Sequence, residues 1–285
     1  MCGSMDVSTC VRTAESILPR RTPEFEQKLS WIAVSIPRVE SLTYLLETDD
    51  SVSFDADPVE HEVDAFSLRL ENGELTVDLQ GHFDSVDEAR SRVEPFLEAW
   101  EVSYGIQFRR REISFSFEDA EVVREDTETD EIDVELETLE VGVTENVAFQ
   151  VERSEYPDPP DTFRLSPDAR TLWNRYENYE EGREPLFSMG FACRNFLIKV
   201  MANGRQEAAT KYNISDRLLQ KLGTLTSTLG SPEVARKPSA RRREATSEER
   251  KWIEQAIRKI ILQVGISDAV HELEKLTKED LPPLP

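Results

Sequence analysis

The sequence predicts an α+β protein in which an N-terminal antiparallel β-sheet domain with one helix is followed by an all-α C-terminal helical domain. Apolar and polar residues alternate in several stretches between residues 29 and 156, which is typical of strands with one buried face. After a proline-rich stretch, 157–165, apolar residues recur at helical spacing. A chain of 285 residues is long enough for two domains that each close a hydrophobic core.

The domain boundaries follow from these changes of pattern. Residues 1–28 show no sustained period and are predicted to form a mobile N-terminal arm. The acidic α+β domain takes residues 29–156, the proline-rich linker takes 157–165, and the helical domain takes 166–276. A short tail, 277–285, follows the helical domain.

Alternating segments predict six or seven strands in the first domain. The strongest signal is a β-hairpin at Asn72-Gly73, because a type I′ turn needs positive φ at both central residues. This turn joins the segments DAFSLRL and ELTVDLQ. The other predicted strands lie at 31–36, 51–54, 113–117, 132–143 and 147–151.

One helix and one acidic loop are expected among these strands. Asp84 or Ser85 is placed to cap a helix that ends near Trp100 and packs across one face of the sheet. Residues 124–131, REDTETDE, carry too many like charges to pack and predict a solvated loop.

Leu186–Met201 is predicted to be the central helix of the second domain. Eleven of its sixteen residues are apolar, so a helix has no polar stripe wide enough to face water. The segment is also too short to cross a bilayer, and it contains Arg194, Asn195 and Lys199. The helix is therefore expected to be buried.

The helices before and after this segment have recognisable ends. Ser166-Pro167 is an N-cap with a first-turn proline, and Gly182 ends the helix that follows. Asn203-Gly204 ends the central helix, and two shorter helices come next.

The last long helix is predicted from a capping box formed by Thr246 and Glu249, and its apolar face ends at Gly265. That wide apolar face predicts a homodimer through this helix. A short helix is expected at 267–276.

Charge is distributed unevenly along the chain. Residues 1–162 carry 13 Lys and Arg against 40 Asp and Glu, whereas residues 163–285 carry 21 against 17. A strongly acidic surface keeps a protein soluble, but this does not explain a net-basic second half. The asymmetry predicts either an anionic partner for the helical domain or docking of the two halves on each other.

Composition also excludes several classes of site and location. Three cysteines form no disulfide framework, and three scattered histidines lack the spacing of metal ligands. No glycine-rich phosphate loop is present, so neither a cofactor nor a metal is predicted. The chain shows no signal sequence and no long apolar run, which predicts a cytoplasmic protein that does not enter a membrane.

Residues 206–222, QEAATKYNISDRLLQKL, carry the most informative motif. Ala209 is small where two helices cross, Asn213 suits a left-handed turn, and Ser215 is placed to cap the second helix. The stretch resembles the helix-turn-helix of DNA-binding proteins, except that the family usually has glycine where this chain has Asn213. By that resemblance the second helix lies in the major groove and presents four side chains to DNA: Asp216, Arg217, Gln220 and Lys221. The alternative is a helical hairpin that only packs.

A basic cluster follows on the predicted loop 231–245. It places five cations within eight residues: Arg236, Lys237, Arg241, Arg242 and Arg243. Such a cluster binds a phosphate backbone without sequence choice, and it is equally compatible with a solvated loop or a contact to the acidic domain.

Arg194-Asn195 carries a second resemblance. The helical half is similar to HEPN domains of prokaryotic defence and toxin systems, whose ribonuclease centre combines an Arg, a polar residue and a His four to six residues further on. This chain has Lys199, Val200 and Met201 where the His would fall, so the resemblance implies at best a catalytically degenerate member. The alternative is a polar pair that a buried helix needs for packing.

The sequence therefore predicts a non-catalytic binding or regulatory protein whose helical domain contacts DNA or a protein partner. The alternative prediction is a HEPN-type ribonuclease, or its inactive relative, with Arg194 and Asn195 as the candidate catalytic residues.

Overall fold

The computed structural model describes residues 38–48, 52–108, 112–123, 151–229, 243–267, 269–270 and 272–284. The predicted arm 1–28, the predicted strands 31–36 and 132–143 and the predicted loop 124–131 lie outside these ranges.

The described strands and helices are taken in chain order. The strands are β1 (Arg38–Thr48), β2 (Val52–Phe54), β3 (Val59–Val63), β4 (Phe66–Glu71), β5 (Glu74–Leu79), β6 (Ile113–Val123) and β7 (Val151–Arg153). The helices are α1 (Val86–Phe108), α2 (Pro167–Glu180), α3 (Leu186–Lys199), α4 (Arg205–Lys211), α5 (Asp216–Thr228) and α6 (Ser247–Ser267). A 3-10 turn, Lys278–Asp280, follows α6. None of these helices is long and apolar enough to cross a bilayer.

The sheet region confirms the predicted α+β fold class. Five antiparallel strands pair in the order β3-β4-β5-β1-β6, and β2 pairs with β7 in parallel. The predicted hairpin is present between β4 and β5, where Asn72 and Gly73 have φ of 53° and 81°. The prediction missed β1, which is the strand between β5 and β6, and it also missed β3.

Helix α1 contributes to both hydrophobic cores. It begins after Ser85, whose Oγ accepts a hydrogen bond from the Glu88 amide at 3.2 Å, and it runs to Phe108, eight residues past the predicted end at Trp100. Trp100 is fully buried in the core beneath the sheet, whereas Val102 and Ile106 are buried in the helical core. One continuous helix therefore joins the two cores.

Polar contacts reinforce this junction. The Arg258 guanidinium of α6 donates to the carbonyls of Ile106 and Gln107 at 2.9 and 3.2 Å, which satisfies two acceptors in the last turn of α1. A cation is also favourable at the negative end of a helix dipole. Arg170 of α2 pairs with Glu98 of α1.

The predicted linker, 157–165, contains neither helix nor strand, and aromatic side chains near its ends are anchored in different cores. Just before it, the Tyr156 ring stacks on Phe54 at 5.2 Å, and its hydroxyl accepts a hydrogen bond from the Gly73 amide at 3.0 Å. Within it, Phe163 is 3% exposed and belongs to the helical core. The extended segment is thus held at both ends.

The central helix α3 is buried along one side only, which corrects the expectation of burial all round. Met189, Cys193 and Leu197 are fully buried, and α3 packs against α2, α5 and α6. In contrast, Phe196 and Ile198 are half-buried. Helix α3 therefore has more apolar side chains than the helices packed against it cover.

Helix α6 starts with the predicted capping box. The Glu249 amide donates to Thr246 Oγ1 at 3.3 Å, and the Thr246 amide donates to Glu249 Oε2 at 3.1 Å. The apolar face that predicted a homodimer lies in the chain's own core: Trp252, Ile253, Ala256, Ile257, Ile260, Ile261 and Val264. The surface that motivated a dimer is thus already covered.

The prediction of a short helix at 267–276 is wrong, because the described residues 269–270 and 272–276 are not helical. After α6 ends at Ser267, Leu276 instead forms a parallel bridge with Ile214. The backbone of this segment is hydrogen-bonded to a distant part of the chain, and a local sequence pattern does not predict such pairing.

Candidate functional site

Residues 206–222 fall on helices α4 and α5 and the turn between them. Asn213 has φ of 46°, so the turn takes the left-handed conformation that the sequence predicts. Ile214 is 1% exposed and fills the space beneath the turn. The fully buried alanine of α4 is Ala208, whereas Ala209, the predicted crossing residue, is half-buried.

The C-terminal segment braces this turn. Asn213 Nδ2 donates to the Leu273 carbonyl at 2.6 Å, and the Asn213 carbonyl accepts from the Leu276 amide at 3.0 Å. The Ser215 amide donates to the Leu276 carbonyl at 2.7 Å. Ser215 occupies the N-cap position of α5 as predicted, but its side chain makes no capping hydrogen bond.

We expect Asn213→Ala to lower the free energy of unfolding by about 2 kcal/mol, because it removes a hydrogen bond and places a less tolerant residue at positive φ. Asn213→Gly loses the same hydrogen bond but accepts the backbone conformation, so we expect a loss of about 1 kcal/mol. Urea unfolding followed by circular dichroism measures both. Equal losses in the two variants would contradict a role for the left-handed conformation.

The outer face of α5 presents the side chains that the resemblance assigns to DNA. Arg217, Gln220 and Lys221 are exposed, while the opposite face is buried in the helical core: Leu218, Leu219, Leu222 and Leu225. The fourth assigned residue, Asp216, accepts a hydrogen bond from Arg205 Nε at 2.5 Å. Its negative charge at the start of α5 is therefore partly compensated.

Arg217 and Lys221 belong to the cations of the helical region for which the described residues provide no salt bridge. Within the part of the chain that the structure describes, neither makes an ion pair, whereas Arg205 pairs with Asp216 and Arg243 pairs with Glu249. The two residues are four apart on one helix and lie on the same exposed face. Their positive charges are thus not neutralised by a salt bridge within the described residues.

Arg243 is the described member of the predicted basic cluster. Its Nη1 donates to Glu249 Oε2 at 2.7 Å, and this guanidinium lowers the pKa of Glu249. The other four members lie outside the described residues: Arg236, Lys237, Arg241 and Arg242. Leu229 and Arg243 form a parallel bridge, so the intervening chain leaves and returns beside the end of α5.

Two grooves follow the exposed face of α5. The C-terminal groove, of about 780 Å³, lies between α5 and the chain from the 3-10 turn onward, with Trp252 of α6 also in its lining. Its lining is Arg217, Gln220, Lys221, Thr224, Trp252, Lys278, Glu279, Leu281, Pro282, Pro283 and Leu284. The second groove, of about 520 Å³, includes Lys221 and Arg243. Sequence reasoning missed the C-terminal wall, since only the tertiary fold brings the tail to α5.

Arg194 and Asn195, the alternative catalytic pair, lie on α3. Arg194 Nε donates to the Leu219 carbonyl of α5 at 2.9 Å, and its Nη1 lies 3.5 Å from Asn195 Oδ1. Burial, with nearby Arg205, lowers the pKa of Arg194. Close approach of the guanidinium needs Gly223, because a β-carbon there would lie 2.5 Å from Arg194 Nε. The pair thus has a packing contact that joins α3 to α5.

Neither histidine that the structure describes is engaged with Arg194. His61 lies 3.8 Å from Asp161 and stacks on Phe96, and His82 lies 3.0 Å from Asp84. Across the described ranges, no group of three or more His, Cys, Asp or Glu side chains is arranged to hold a metal ion. Comparison of the chain with protein families, curated proteins and solved structures found no match.

Proposed function

We propose that the protein is a non-catalytic binding protein whose helical region binds duplex DNA along the exposed face of α5. The observation that carries this proposal is the pair of cations Arg217 and Lys221, which are exposed on α5 after the left-handed turn at Asn213 and make no ion pair among the described residues. Cations that already face water and have no internal partner bind phosphate without first breaking an ion pair.

The local fold supports the same proposal. The left-handed turn at Asn213 sets α5 across α4, and the leucine face of α5 fixes which side points outward. Gln220 lies between the two cations and can donate and accept hydrogen bonds at base edges. Arg243 lies beside the end of α5, and the sequence adds four further cations, Arg236, Lys237, Arg241 and Arg242.

The test is a fluorescence-anisotropy titration of a mixed-sequence DNA duplex with the full chain at about 50 mM and about 200 mM salt. We expect binding that weakens steeply with salt. In the variant Arg217→Glu with Lys221→Glu we expect affinity at least about tenfold lower, and a salt slope reduced by about 2, since two phosphate contacts are lost.

The control variant is Lys199→Glu with Lys251→Glu, which changes net charge by the same amount. Both lysines are exposed and line neither groove beside α5. We expect this variant to keep most of the affinity. Equal losses in the two variants would show that binding depends on total charge rather than on α5, and no binding at the lower salt would contradict the proposal.

A further inference from the structure

We propose that the C-terminal segment Leu281–Leu284 is autoinhibitory, because it competes with duplex DNA for the exposed face of α5. The inference rests on the proposed function and adds a mode of regulation to it. It follows from a steric conflict between the C-terminal groove and the way in which a helix enters DNA.

The segment forms the wall of the C-terminal groove that faces α5. One side of the groove is the face of α5 that carries Arg217, Gln220 and Lys221, and the other side includes the four residues of the segment. The segment therefore borders α5 from Arg217 to Thr224, the part that carries the three side chains proposed to contact DNA.

An α-helix with its side chains is about 10–12 Å wide, and the major groove of B-DNA is about 12 Å wide. A helix that lies in the groove leaves no room for a second stretch of backbone beside it. Pro282–Leu284, the part of the segment beyond the buried Leu281, must therefore move away from α5 before α5 can enter the major groove.

The segment is held mainly by apolar contacts. Leu281 is 6% exposed, and Leu284 is half-buried against the helical core. Pro282 and Pro283 have no amide hydrogen, and within the described residues no hydrogen bond attaches 282–284 to the rest of the chain. Uncovering Leu284 changes the population of the open state by about a factor of ten.

The residues just before the segment are fixed more firmly. Thr277 caps the 3-10 turn: its amide and hydroxyl both donate to Asp280 Oδ2, at 2.7 and 2.9 Å. Leu276 is bonded to the turn at Asn213 and Ser215. Release of the last residues therefore leaves the brace of the α4–α5 turn in place.

The experiment measures the affinity of the full chain and two variants for the same mixed-sequence duplex. One variant is Leu284→Ala, and the other deletes residues 282–285. We expect each variant to bind about tenfold more tightly than the unaltered chain, because the competing segment is weakened or absent. Adding Arg217→Glu and Lys221→Glu to the deletion should abolish the gain.

Leu262→Ala is the matched control, since Leu262 is also a half-buried leucine of the helical core but lines neither groove. We expect it to leave the affinity unchanged. If the deletion and Leu284→Ala bind DNA as the full chain does, or more weakly, the segment is not autoinhibitory although the proposed function stands. If neither the full chain nor the deletion binds, the proposed function itself is wrong.

Discussion

Trp100→Ala is expected to lower the free energy of unfolding by about 3–5 kcal/mol and to destabilise both cores together. The Trp100 ring is fully buried and lies 5.0 Å from the Phe115 ring and 6.3 Å from the Phe96 ring, between centroids. Two residues later along the same helix, Val102 is buried in the helical core. A cavity at Trp100 weakens the attachment of α1, and α1 belongs to both cores.

The measurement compares two probes during urea unfolding in a Trp31→Phe background. Comparing Trp100→Ala with Trp100→Phe leaves Trp173 and Trp252 as the fluorophores of both proteins, so fluorescence follows the helical core and circular dichroism follows the whole chain. We expect coincident transitions that shift together on Trp100→Ala. Trp100→Phe should shift them less, because it leaves a smaller cavity. A fluorescence midpoint that does not move would show that the two cores unfold independently.

Gly265→Ala is expected to lower the free energy of unfolding by about 2–3 kcal/mol, although alanine is normally better than glycine in a helix by about 1 kcal/mol. A β-carbon at Gly265 would lie 2.2 Å from Phe163 Cε2 and 2.9 Å from the Arg164 carbonyl oxygen. The Arg164 amide also donates to the Gly265 carbonyl at 3.1 Å. The extended segment that carries Phe163 would have to move away from α6.

Gly223→Ala provides the comparison for this variant. There the β-carbon would meet the guanidinium of Arg194, the end of a flexible side chain, so we expect a loss below about 1 kcal/mol. Combining Gly265→Ala with Phe163→Leu should cost less than the sum of the two single changes, since the second relieves the first. Equal stability of Gly265→Ala and the unaltered chain would contradict the close packing at Phe163.

The sequence predicted those features of the fold that depend on residues close to one another in the chain. The hairpin at Asn72-Gly73 and the left-handed residue Asn213 depend on backbone conformations that few residues accept, and the structure has both. The capping box of Thr246 and Glu249 depends on a spacing of three residues, and it also forms. In each case the residues that predict the feature are the same ones that form it, and they lie within a few positions of one another in the chain.

The missed elements depend on partners distant in the chain. Strand β1 has an apolar alternation at Leu42, Tyr44 and Leu46, but a bulge between Val39 and Ser41 shifts its register. Helix α1 continues past Trp100 because its later residues, such as Ile106, enter the helical core. A sequence pattern alone does not show that a second core is present to receive them.

The candidate site likewise has one part that the sequence predicted and another that it did not. The outward direction of Arg217 and Lys221 follows from the leucine periodicity of α5, and the structure places both on the exposed face. The C-terminal wall beside them, with Leu281 and Leu284, required knowledge of the tertiary fold. The sequence also did not predict the ion pair between Arg243 and Glu249, because a linear pattern does not show that the two side chains come together.

The bridge between Leu229 and Arg243 bears on how long the segment between them can be. Because these two residues hold the ends of the intervening segment together, the entropy of closing that segment rises only slowly with its length. A doubling of length costs about 0.6 kcal/mol. The entropy of closure therefore sets no sharp limit on the length of a segment that carries four of the five cations of the basic cluster.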